Sequence, residues 1–139
     1  MTTYRLAGDP ALRVRVLPLG LACCALEVES AVRLGLLVPE APGERPPART
    51  VLVVSGTVTE PLVPVVEAAV AEAGAEGADT AVSVLAFGVC ASTGGPYWDA
   101  PTVVNGADRF VPVDHYVPGC PPRPEALVDA LRAAGADVA

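Results

Sequence analysis

Residues 50–56 read TVLVVSG. Four consecutive apolar residues, Val51 to Val54, end at a small polar pair. A continuous, valine-rich run of this length is the pattern of a strand buried on both faces, as in a parallel sheet. A second run, TAVSVLAFG at 80–88, has the same character, and RFVPV at 109–113 reads as a third, shorter strand. Upstream, ALRVRV alternates Leu12, Val14 and Val16 with Arg13 and Arg15, which suits a strand with one face covered.

Helical patterns lie between these runs. A short helix is predicted from about Ala25 to Leu37, closed by Pro39. A second runs through about Ala73, with Thr59 as its cap and with Pro61 and Pro64 tolerated where backbone donors are still unpaired. A third starts near Pro124 and places Ala126, Leu127, Ala130 and Leu131 on one stripe. The stretch at about 39–49, dense in proline, glycine and charge, reads as a surface loop. Strands alternating with helices imply a small α/β sandwich with a parallel sheet, and 139 residues imply one domain over 1–139.

Composition narrows the function. A formal net charge of -7 argues against a broad basic face for nucleic acid or anionic lipid. No apolar run approaches the roughly 18 residues of a membrane span. The N-terminal MTTYRLAGDPALRVRV lacks the apolar stretch of a secretory signal, so a reducing, cytosolic setting is expected. There is no internal repeat, no phosphate-binding glycine loop and no Ser-His-Asp pattern, and no thiol has a base beside it that would mark a nucleophile. No catalytic residue is assigned.

The four cysteines carry the chemistry. Cys23 and Cys24 are adjacent, and Cys90 and Cys120 each lie just beyond a predicted strand. In an open parallel sheet the carboxyl ends of the strands share one edge, so all four sulfurs could meet there. Zinc accepts four cysteines, but structural zinc sites usually space them two to four residues apart. Adjacent thiolates suit two different irons of a cubane, since each corner needs its own ligand. Inert burial of small hydrophobic thiols is the plain alternative. A vicinal disulfide would be strained and out of place in a reducing compartment. Gly88, Gly94, Gly95 and Gly119 would let backbone approach the sulfurs, and Pro118, Pro121 and Pro122 would stiffen the last loop.

The motifs GLACCALE, GTVT followed by Pro64, GVCASTGGPY and NGADRFVPVDHYVPGCPPRPEAL resemble the B-type subunit of bacterial NADH:quinone oxidoreductase, respiratory complex I, over roughly residues 17–131. The resemblance implies a flavodoxin-like three-layer fold, as in the small subunit of nickel-iron hydrogenases. It implies that Cys23, Cys24, Cys90 and Cys120 ligate one 4Fe-4S cluster, the last of an electron chain that reduces quinone. The implied partners are the 49 kDa-type (D) subunit and the ferredoxin-like (I) subunit, and the implied location is peripheral, on the cytoplasmic side of the membrane.

The chain departs from that family beside these motifs. Where the family carries a Lys-Met pair and two arginines after Gly-Thr-Val-Thr, this chain has Pro61, Leu62, Glu67 and Ala68, and Val28 stands where Met is usual. Cluster binding is therefore better supported than quinone chemistry. Two other outcomes fit the same motifs: the small subunit of a complex I-related membrane-bound nickel-iron hydrogenase, and a structural paralogue with a weak or absent cluster. His115, five residues before Cys120, could hydrogen-bond the cluster and Glu27 could serve proton coupling, but each reads first as packing or surface; Tyr97 reads equally as lining the cluster or quinone side and as core packing. Asp108 and Arg109 read as a turn with an ion pair, and Trp98 as an interface residue.

Overall fold

The structure is a computed structural model that describes residues 2–17, 23–75 and 81–136. Its centre is a six-stranded sheet of β1 (Thr2–Leu6), β2 (Asp9–Leu17), β3 (Leu37–Pro39), β4 (Arg49–Ser55), β5 (Ala81–Phe87) and β6 (His115–Val117). Their order across the sheet is β3-β1-β2-β4-β5-β6. β1 runs antiparallel to both its neighbours, β2 and β3. β2, β4, β5 and β6 are successively parallel. Apart from the inserted β1, this is the doubly wound order of flavodoxin-like folds, in which the chain reverses its direction across the sheet between β2 and β4.

Helices cover both faces. α1 (Cys23–Arg33) and α4 (Pro124–Ala136) lie on one, α2 (Val63–Ala75) and the short α3 (Val89–Thr93) on the other. Alternation along β4 feeds both layers: Val51 and Val53 join Cys24, Val28, Phe87, Leu127 and Leu131, while Leu52 and Val54 join Val66, Ala69, Val84 and Ala91. This double burial is what the valine-rich run encodes. Burying each such side chain contributes on the order of 1.5–3 kcal/mol.

Several local readings are corrected. α1 begins at Cys23 and stops at Arg33, not Leu37. Gly35, at φ +74°, ends it: the Gly35 N–H donates to Val32 O and the Leu36 N–H to Ala31 O, the paired bonds of a Schellman motif. Leu37 to Pro39 then form an edge strand. Thr59 precedes a 3-10 turn at Glu60–Leu62 and makes no side-chain cap; the α-helix starts only at Val63, with Pro64 still in its first turn. RFVPV is not a strand. Pro112 has no N–H for a ladder, and Phe110, Val111 and Val113 pack under the second face while the strand forms at His115–Val117.

The N-terminal hairpin is held by ions. Arg5, 4 % exposed, donates to Pro10 O, Arg45 O and Glu40 Oε1, and Arg13 donates from Nε to Glu40 Oε2 at 2.8 Å. Hydrogen bonding from Arg13 holds the Glu40 carboxyl below the usual carboxylate range; burial opposes this and Arg5 adds to it. These bonds pin the loop after β3 to β1 and β2.

Candidate iron-sulfur site

The carboxyl ends of the parallel strands are level, with Leu17 beside Val54, Ser55 beside Phe87 and Phe87 beside Val117. Each cysteine emerges at this edge. Cys23 and Cys24 open α1, Cys90 lies in the first turn of α3, and Cys120 is three residues beyond β6. Adjacent helical residues point about 100° apart, so Cys24 packs into the core while Cys23 is exposed. Cys90 is buried and Cys120 is exposed. The set therefore comprises two inner and two outer thiols.

The loops bearing the last two cysteines are tied together. The Gly88 N–H donates to Val117 O at 2.7 Å and the Val89 N–H to Gly119 O at 3.0 Å. Within the turn, Ser92 Oγ donates to Gly88 O at 2.8 Å. Gly88 sits at φ +94°, and a Cβ there would overlap Cys24 Sγ. A Cβ at Gly95 would lie 3.2 Å from Cys90 Sγ. Both glycines leave room beside a sulfur.

The thiols also sense one another. Burial pushes the Cys24 pKa up to about 12, and the charges of Cys23, Cys90 and Cys120, with a hydrogen bond to Cys23, push the same way. Among the described residues, however, no three His, Cys, Asp or Glu side chains are grouped closely enough to hold a metal ion. Four soft donors at one sheet edge, with glycines leaving room beside two of them, have the chemistry of an iron-sulfur ligand set.

The other candidates are scattered. Glu27 is half-buried one turn after Cys23, on the same side of α1. His115 is half-buried at the start of β6. Tyr97 and Trp98 are exposed in the turn after α3. Asp108 and Arg109 do lie in a turn, Ala107–Arg109, but the Asp108 carboxylate accepts from Tyr116 Oη at 3.2 Å instead of pairing with Arg109. Sequence reasoning missed Ser55, a fully buried hydroxyl at the same sheet edge; its place at the end of an otherwise apolar run was the available signal.

Comparison with known proteins agrees with this architecture. The family model described as NADH ubiquinone oxidoreductase, 20 Kd subunit, matches residues 21–134. A B-type subunit of the NADH-quinone oxidoreductase of Streptomyces griseus is 44 % identical over 119 residues, covering 81 % of this chain and 47 % of that protein. Its counterpart in Salinispora tropica is 42 % identical over 119 residues, covering 81 % of this chain and 59 % of its own length. The chain thus spans about half the length of these curated relatives. Among solved structures, a chain of the membrane-bound sulfane sulfur reductase, an archaeal respiratory membrane complex, superposes with a TM-score of 0.61 at 26 % identity, covering 87 % of this chain and 67 % of that one. With the family model spanning most of its length, and its α/β sheet in the expected order, this chain belongs to the family of the 20 Kd subunit of NADH ubiquinone oxidoreductase, the family of the B-type subunits of bacterial NADH-quinone oxidoreductase.

Proposed function

We propose that Cys23, Cys24, Cys90 and Cys120 hold one 4Fe-4S cluster and that the chain is an electron-transfer subunit of a complex I-like NADH:quinone oxidoreductase, passing electrons toward quinone. The observation that carries this reading is the placement of all four cysteines at the carboxyl edge of the parallel strands, with Gly88, two residues before Cys90, packed against the Cys24 sulfur. A bound cluster supplies reversible one-electron transfer. The protein supplies the rest. Cys24 and Cys90 anchor from the core side, where Val28 and Phe87 exclude water, and Cys23 and Cys120 close the set from outside. α1 starts at the pair, so the positive end of its dipole lies by the thiolates. Gly88 and Gly95 keep side chains out of the space beside the sulfurs. Loading requires deprotonation, and with Cys24 at about 12 it is coupled to proton release.

The outer side of the site supports a partnered role. Leu26, Tyr97, Trp98 and Tyr116 are exposed large side chains on the segments that also carry the cysteines, and a neighbouring subunit would cover them. The resemblance to complex I extends the proposal to the 49 kDa-type (D) and ferredoxin-like (I) subunits as partners and to a peripheral position on the cytoplasmic side of a membrane. Among the described residues no helix is long and apolar enough to cross one.

A second reading is favoured by the likeness to the sulfane sulfur reductase chain and by the non-basic residues Pro61, Leu62, Glu67 and Ala68. In it the same cluster serves a related membrane complex, such as a nickel-iron hydrogenase, whose terminal acceptor is not quinone. Quinone reduction by the complex purified with its native partners, compared with its Cys120→Ala form, tests the first reading. Turnover that depends on Cys120 is expected. Turnover unchanged by the substitution contradicts an electron-transfer role, and cluster-containing complex without any quinone turnover favours the second reading.

A further inference from the structure

Ser55 is the last residue of β4, and its side chain is fully buried. Its Oγ has no hydrogen-bond partner, the one buried hydroxyl in that condition among the described residues. Buried polar atoms are nearly always satisfied, so an orphan at the ligand-binding edge of a sheet needs a reason. Strand alternation places Ser55 on the face of Val51 and Val53, the layer that contains Cys24. It lines a hollow of about 290 Å³ together with Ala25 and Val28, which are the neighbour of Cys24 and the residue one turn beyond it in α1. In register it stands beside Phe87, the residue before Gly88, whose missing Cβ makes room for Cys24 Sγ. The strand face, the hollow and the register thus each place this free O–H donor beside the segments that carry and contact Cys24, although Cys24 does not itself line the hollow.

Building on the cluster reading above, we infer that Ser55 is a positioning residue whose hydroxyl donates a hydrogen bond to sulfur on the Cys24 side of the bound cluster. No electron or proton is transferred by Ser55. A donor to sulfur stabilises the more negative, reduced state and raises the reduction potential. In the cluster-free chain the same hydroxyl is only a desolvated, unpaired group, which costs stability. Ser55→Ala therefore has opposite signatures in the two states.

The test uses the full chain, with and without anaerobic reconstitution by iron and sulfide, as wild type, Ser55→Ala and Ser55→Thr. In the cluster-free form, Ser55→Ala is expected to melt at or above the wild-type temperature. In the reconstituted form its midpoint potential, followed by visible absorption and electron paramagnetic resonance, is expected to move to more negative values, with Ser55→Thr returning toward wild type. Equal potentials in wild type and Ser55→Ala, or a threonine variant shifted as far as alanine, overturn the inference while leaving the cluster intact. A lower melting temperature of cluster-free Ser55→Ala also overturns it, because the hydroxyl would then have a structural partner. Wild type that binds no iron overturns the cluster reading itself.

Discussion

Gly88 stands against Cys24 so closely that a single Cβ on the glycine would occupy the space of the cysteine sulfur. That contact joins the turn after β5 to the start of α1, two segments more than sixty residues apart in sequence. It also fixes the inner half of the thiol set. Gly88→Ala adds a side chain at φ +94° as well as an overlap. The variant is expected to lose about 1–3 kcal/mol in chemical denaturation, the usual cost of overpacking, and to retain less iron after reconstitution. Gly74→Ala is the control: it lies in α2 with nothing within 4 Å of the added carbon, and a gain of roughly 0.5–1 kcal/mol is expected there from helix propensity.

The two-inner, two-outer arrangement predicts thiol reactivity. In the cluster-free, folded chain, a maleimide should modify Cys23 and Cys120 quickly. Cys24 and Cys90 should lag by about tenfold or more, because they are buried and, for Cys24, held protonated. Peptide mapping by mass spectrometry reads the four rates separately. Uniform rates would mean that Cys24 and Cys90 are not packed as described.

Much of this arrangement is legible in the sequence, and the parts that are not share a cause. β4 and β5 announce themselves as apolar runs because both faces are buried, and β2 by alternation. β1 does not, since TTYRL offers two threonines and an arginine, and Arg5 is buried only because Glu40 and Glu44 meet it from a later loop. Such a pairing leaves no local periodicity. RFVPV has strand-like residues but spends them on packing beneath the second face, a tertiary outcome that propensity cannot register. The placement of the cysteines at one edge of the sheet was legible from their positions beyond predicted strands. Their division into inner and outer pairs was not, because it depends on α1 starting at Cys23 itself.

The Arg5–Glu40–Arg13 cluster predicts an acid limb. Glu40 titrates below its ordinary value in the folded chain, chiefly through the Arg13 hydrogen bond. Its contribution is therefore complete above the unfolded carboxyl value, about 4.5, and is lost as pH falls through the folded one. Glu40→Gln should cost roughly 1.5–3 kcal/mol at neutral pH, the range for a charge-assisted hydrogen bond, and should flatten the decline of stability in acid. Denaturant midpoints of both proteins from pH 7 downward check this. Parallel acid limbs would show that Glu40 is not the group responsible.

The central claim concerns four thiols acting as one ligand set. Anaerobic reconstitution of the full chain with iron and sulfide, followed by visible absorption and iron and sulfide analysis, addresses it most directly. The account predicts broad iron-sulfur charge-transfer absorption with four irons and four sulfides per chain, and loss of that stoichiometry when Cys24 or Cys90 is replaced by alanine. A chain that takes up no iron, or one in which both alanine variants keep the full complement, would contradict it.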